Sequence, residues 1–456
     1  MTPDPTLGPA RGWRTFLLLW ASQSLSLLAT NVAWFAITIY FTTVVYAAEG
    51  QRAQLALMVG VLGLMTALPP VLLAPFAGSL TDRYSRRRIM LSCDALSALI
   101  ALGITVMVWS GSLNVPLLLG GVVLGRVAAV FHESAFEASY AMLLPRHQLA
   151  RASGMMQTAY SAGAIVAPAL AALVIALPRS VSGGLWGLHD GTGLVMALDT
   201  LSFVVAALVL FNLHIPSPQE RPEPGQKAAF WSDFRFGWHY VVRRHPLLLL
   251  LLILTAVNFA TAGVNLYETL LARFSLNADF VQRGLSFESG YAVMTTVTGV
   301  GTLLGGLIIS SWGGLKRQRI YGLLLPLLIQ ALAVTLMGLS RSLPLTAAAL
   351  LVFGVAFPLG SAHSAAIWMS QVPREIQGRV FSVRMVVSRS SIPISMLLFS
   401  LLSARFAPGS VVTVLGVGGT LVVLGALLSP QVRRVEDKPY LDALAARHGP
   451  LGQGND

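Results

Sequence analysis

Charge is scarce in this chain. Only 11% of its 456 residues are charged, against about 25% in a soluble domain. That is too little to cover a water-facing surface of this size. Cysteine is almost absent: Cys93 stands alone, which excludes an intrachain disulfide and says nothing about redox compartment. There is no GxxxxGK[ST] phosphate loop, so ATP hydrolysis within this chain is excluded as a driving force. No cluster with metal-ligand spacing and no credible catalytic triad is present. The expectation is therefore no enzyme, no cofactor and no metal.

Apolar residues are abundant, at 55% of the chain. A membrane span needs about 20 predominantly apolar residues in a row. Twelve runs qualify, at about 15–46, 54–77, 89–110, 115–142, 150–178, 191–213, 247–272, 289–311, 320–340, 344–369, 378–403 and 410–430. The first is longer than the apolar core of a secretory leader and no small-residue cleavage site follows it, so it reads as a span. The formal charge of +12 raises the question of nucleic acid, but its placement answers it. With the N-terminus inside, 22 of the 31 lysines and arginines fall in inner loops and tails, 6 in outer loops and 3 in spans. Basic residues favour the cytoplasmic side, so both termini are expected in the cytoplasm of a multi-pass cell-membrane protein. The partners expected are membrane lipid, with attraction to anionic headgroups, and no nucleic acid.

Residues 214–246 break the apolar pattern. PSPQERPEPGQK reads as a linker, and FWSDFRFGWHYVVRRHP as an interfacial helix anchored at the lipid surface. This divides the chain into an N-terminal six-helix bundle (1–213), a cytoplasmic linker with its helix (214–246), a C-terminal six-helix bundle (247–430) and a cytoplasmic tail (431–456). The halves share an offset of 228 residues. It carries Pro145-Arg146 and Arg151 onto Pro373-Arg374 and Arg379, Gly78 onto Gly306, and Arg88 onto Lys316. Parallel repeats of this kind are a device of secondary transporters. The fold class expected is an all-α membrane protein with 12 transmembrane helices in two pseudo-symmetric bundles.

The segment GSLTDRYSRRRIM, residues 78–90, lies between the second and third runs. Its Gly-x-Leu-x-Asp-Arg-x-x-Arg-Arg pattern resembles the signature loop of the major facilitator superfamily, with Ser85 where that family usually has glycine. HESAFEASYAMLLPRHQLARASGMMQ (132–157), VMALDTLSFVVAAL (195–208), SSWGGLKRQRI (310–320) and IWMSQVPREIQGRVFSVRM (367–385) look like the drug:proton antiporter branch. That branch contains macrolide-efflux and enterobactin-type siderophore exporters. The resemblance covers roughly 12–430. It implies a monomeric secondary transporter that exports small amphipathic molecules in exchange for protons. A nutrient facilitator or importer is the nearest alternative; a non-transporting receptor or assembly factor is the alternative of another class.

In the family the signature loop forms a conformational latch. That implies roles for Gly78, Asp82, Arg83, Arg86 and Arg87, with Glu137 as the span-4 acid paired to a loop arginine. Asp82 would face the N-terminus of the eleventh span, near Gly378. Gly78 is also expected to permit close backbone approach. Gly163, Ala167 and Pro168 resemble the antiporter motif of span 5, with Ala167 in a glycine place. Intramembrane charge is expensive and needs a reason. Arg126, Glu133 and Glu137 fall within about 40° on the helix surface, one polar stripe. Glu133, Glu268 and Asp199 are the proton-coupling candidates, Asp199 with a structural role in view because span 6 usually sits outside the cavity. Arg126, Arg389, Gln23, Asn31, Gln157, Asn258 and His363 are the substrate-cavity candidates. Asp94 reads as a helix-packing acid and Arg384 as a snorkelling one. Trp34, Phe35 and Trp368 offer apolar bulk.

Overall fold

The computed structural model describes residues 9–180, 191–215, 226–261, 264–373 and 376–446. The side chains of Asp82, Arg83, Arg146 and Asn265, and all of Arg374, lie outside the described residues. Among the described residues there is no strand, and 12 helical segments are long and apolar enough to cross a membrane.

The chain forms two compact units, Met1–Pro222 and Glu223–Asp456; the division falls inside the 214–246 stretch. In the first, α1 (Pro9–Tyr40), α2 (Arg52–Arg83), α3 (Arg86–Trp109), α4 (Val115–Leu143), α5 (Arg146–Ser180) and α6 (Thr192–Asn212) supply spans one to six. The second opens with α7 (Gln226–Val242), which is not a span. Span seven is built from α8 (His245–Thr261), α9 (Val264–Leu271), a π-helical turn at Ala272–Leu276 and α10 (Asn277–Gln282). It therefore runs past the expected end near 272, because the π turn keeps the chain coiled through the polar Asn277 and Asp279. Spans eight to twelve are α11 (Phe287–Trp312), α12 (Arg319–Leu339), α13 (Leu343–Gln371), α14 (Gln377–Arg405) and α15 (Pro408–Leu428); α16 (Pro430–Arg433) and α17 (Lys438–Ala446) follow.

The two units repeat one pattern of neighbours. In the first, α1 packs on α5 and α6, α2 on α4, and α3 on α4 and α6. In the second, α8 packs on α14 and α15, α11 on α13, and α12 on α13 and α15. Each pair is the other shifted by six spans, which is the structural counterpart of the 228-residue offset. Lipid gives little hydrophobic drive between helices, so close packing of small residues must hold them. The α11–α13 crossing shows this. A β-carbon on Gly301 would sit 2.5 Å from the Leu351 carbonyl oxygen, and one on Gly354 would sit 2.5 Å from that of Thr298.

Gly78 differs from its expectation. Among the described residues, nothing lies within 4 Å of a β-carbon built there, so no close backbone approach inside the first unit explains this glycine.

Helix α7 also departs from a lipid-surface reading. Its Asp233, Phe236, Gly237 and Tyr240 recur at helical spacing and meet the start of α14 and the end of α13. Asp233 pairs with Arg379 at 2.8 Å, the Arg379 guanidinium lies 5.2 Å from the Phe236 ring, and Tyr240 Oη donates to the Gln371 carbonyl at 3.2 Å. The stripe is thus consumed by protein, not lipid. The C-terminal segment joins the same end: Arg244 pairs with Asp442 at 3.2 Å, and Glu436 accepts from the Ile320 N–H at 3.1 Å. An acid at the first turn of α12 satisfies an otherwise orphaned donor and suits the helix dipole.

Candidate functional site

The first unit lines an open cavity of about 270 Å³. Five helices line it: α1 brings Gln23, Thr30 and Trp34; α3 brings Cys93 and Asp94; α5 brings Tyr160; α6 brings Asp199. The rest of its chemistry comes from one face of α4, with Arg126, His132, Glu133, Phe136 and Glu137. Four carboxylates face this space against one guanidinium and one imidazole.

Arg126 has two partners. Its Nη1 lies 3.3 Å from Glu133 Oε1, two turns along the same helix, and its Nε donates to the Thr66 carbonyl of α2 at 3.3 Å. Thr66 stands four residues before Pro70, and proline has no N–H to complete the helical bond. Arg126 therefore satisfies a carbonyl that the Pro69-Pro70 pair leaves open. That requirement was visible in the sequence as a proline pair inside an apolar run, although not its partner.

Asp94 is not merely a packing acid. It is 2% exposed, with Oδ1 3.2 Å from His132 Nε2 and Oδ2 accepting from Gln23 Nε2 at 3.4 Å. His132 sits off the line of an ideal N–H bond to the carboxylate and stacks on Phe136 at 6.4 Å. Sequence reasoning missed His132, whose only signal was its place beside Glu133. Asp199 also belongs here, accepting from Thr30 Oγ1 at 2.9 Å; the expectation that span 6 stays off the cavity does not hold for it.

Other candidates separate from this group. Asn31 packs against Gly163, where a β-carbon would lie 2.8 Å from Nδ2. Gly163, Ala167 and Pro168 are buried, so this motif packs helices. Gln157 is exposed on α5 and does not line the cavity. In the second unit, Asn258 donates to Ser388 Oγ at 2.6 Å, tying α8 to α14. His363 accepts from the Leu315 N–H at Nε2, 2.9 Å, while Nδ1 lies 2.7 Å from the Leu359 carbonyl. Nε2 holds the α11–α12 loop and Nδ1 meets a carbonyl of its own helix α13, so both ring nitrogens of His363 are occupied in this structure. Glu268 is sealed at 1% exposure and accepts from Thr298 Oγ1 at 3.0 Å. Arg389 is exposed, without a partner among the described residues. Arg384 donates to Ser364 Oγ at 3.2 Å and lies 5.5 Å from the Trp368 ring.

The signature loop is a fastening within the first unit. Arg86 is 2% exposed and donates to the Ala138 carbonyl at 2.9 Å and to Met142 Sδ, at the end of α4. Arg87 donates to the Leu210 carbonyl at 3.2 Å and to that of Phe211, the last turn of α6. The C-terminal end of a helix carries negative partial charge and attracts cations, which suits consecutive arginines reaching toward two helix ends. Glu137 is not the acid they hold in this structure. It faces the cavity beside Glu133 and carries no ion pair among the described residues.

The profile of the Major Facilitator Superfamily matches residues 19–396. This chain belongs to that superfamily. It is a multi-pass membrane transporter and not an enzyme. Macrolide efflux protein A of Streptococcus pyogenes is 23% identical over 426 residues, 92% of this transporter and 96% of that protein. The multidrug efflux pump Tap of Mycobacterium bovis is 24% identical, over 88% and 91%. Among solved structures, a point mutant of the nucleoside transporter NupG superposes with a TM-score of 0.68 at 12% identity, covering 91% of this transporter and all of that chain. A bacterial homologue of the iron transporter ferroportin gives 0.65 at 15%, over 91% and 98%. These superpositions establish the major facilitator fold.

Proposed function

We propose that this transporter exports small amphipathic compounds across the cell membrane in exchange for protons, as a monomer with both termini in the cytoplasm. The observation that carries the reading is the first unit's cavity, where Trp34, Phe136 and Tyr160 stand beside titratable Asp94, His132 and Glu133. Aromatic surface takes the apolar body of a substrate, and groups that change charge respond to a proton. The efflux proteins similar over most of the chain support the outward direction. A membrane potential supplies about 2.3 kcal/mol per charge per 100 mV, roughly 40-fold accumulation per proton.

Cells expressing the transporter should hold less radiolabelled erythromycin than cells without it, and a protonophore should erase the difference. Higher accumulation in expressing cells would make it an importer. Export indifferent to the protonophore, in proteoliposomes as in cells, would remove the proton from the reading.

A further inference from the structure

Four carboxylates of the first unit face one cavity, and they differ in what surrounds them. Glu133 is held 3.3 Å from Arg126. Protonating it strands a guanidinium whose remaining contact is the Thr66 carbonyl, and breaking one partner of an intramembrane pair is costly. Among the described residues Asp199 has the Thr30 hydroxyl and no cation, so its ionised form has no opposite charge beside it. Glu137 has no hydrogen-bond or ion-pair partner among the described residues and stands beside the like charge of Glu133. Of the four, Asp94 alone meets a base that also titrates, the His132 imidazole at 3.2 Å, with the Gln23 amide on its second oxygen.

We propose that the Asp94–His132 pair, between α3 and α4, is where the transported proton is taken up and released; this rests on the proton-exchange reading above. With a neutral ring, the Asp94 carboxylate keeps the Gln23 amide as its hydrogen-bond donor, and the imidazole stands 3.2 Å away off the line of a bond. When a proton from outside water adds to the free ring nitrogen, the product is an imidazolium beside the same carboxylate. Deprotonation returns that proton to inside water and restores the neutral ring; no other bond changes. The carboxylate has a donor in one state and gains an adjacent cation in the other, so the added charge arises beside an opposite one. Each exchange also strengthens or weakens the attraction between α3 and α4, the mechanical consequence a transport cycle needs. The other titratable and charged groups on this cavity are Cys93 from α3, Arg126, Glu133 and Glu137 from α4, Tyr160 from α5 and Asp199 from α6, while the polar groups from α1, among them Gln23, Ser24, Ser26 and Thr30, are neutral.

The test uses the full-length transporter in proteoliposomes with erythromycin as probe, in two modes: accumulation driven by a pH gradient, and counterflow at equal pH. In His132→Gln, gradient-driven accumulation should fall by roughly tenfold more than counterflow, and the pH profile of transport should flatten. Asp94→Asn should behave likewise, and Asp94→Glu should restore much of the drive. Equal loss in both modes, or a gradient response and pH profile like wild type, overturns the proposal. If wild type itself performs counterflow but ignores the gradient, the proton-exchange reading fails first, which is a different result. Where a variant does not reconstitute, potentiometric titration of the purified protein decides. Wild type should take up about one proton more than His132→Gln over the full titration; equal uptake overturns the assignment.

Discussion

Arg126 and Glu133 can be separated by a double-mutant cycle, and the structure gives the scale. At 3.3 Å two unit charges interact by about 1.3 kcal/mol in bulk water and about 5 kcal/mol at an effective dielectric of 20. The side chains are 34% and 50% exposed to the cavity, which keeps the pair near the lower bound, at about 1–2 kcal/mol or roughly 5–30-fold. Arg126→Gln also gives up the bond to the Thr66 carbonyl, which has no helical N–H partner, for about 1 kcal/mol more. Arg126→Gln is therefore expected to slow erythromycin export more than Glu133→Gln. The double variant should be no worse than Arg126→Gln alone. The assay is the initial export rate in proteoliposomes, with the melting temperature of each purified variant as the control for folding. Fully additive losses would refute the reasoning, because independent sites add and coupled ones do not. Equal effects of the two single variants would refute the role given to Thr66.

Two further expectations concern the second unit. Gly354→Ala places a β-carbon 2.5 Å from the Thr298 carbonyl oxygen, so α11 and α13 must part, for about 1–3 kcal/mol and a lower melting temperature. Gly306→Ala, with nothing within 4 Å of its β-carbon, should leave melting unchanged or slightly raised, and a matching loss there would contradict the packing argument. His363→Leu leaves the Leu315 N–H without its acceptor, at about 1–3 kcal/mol. Stability should fall while export per folded molecule holds; lost export at unchanged melting would return His363 to the substrate site.

Much of the architecture was legible without coordinates. Spans are local: about 20 apolar residues satisfy their own backbone bonds inside a helix, and each such run can be recognised alone. The polar stripe of α4 was legible for the same reason, since helical period places Arg126 and Glu133 together without help from a neighbour. What failed to show was who stands opposite. Asp94 and His132 sit on different helices, and nothing in either segment states how α3 and α4 are rotated about each other. Arg86 and Arg87 stood out as loop charges, but the main-chain carbonyls they bond toward the ends of α4 and α6 carry no residue signature. His363 looked like a cavity ligand until the α11–α12 loop was seen to close over it.

By itself, then, the sequence determined the solvent, the number of spans, the repeat and the family, because apolar length, charge placement and motif spacing are properties of short segments. Only the tertiary structure decided which charges meet. In a membrane a charge needs a partner or a water-filled cavity, and helix rotation and crossing select which of these it meets from residues distant along the chain.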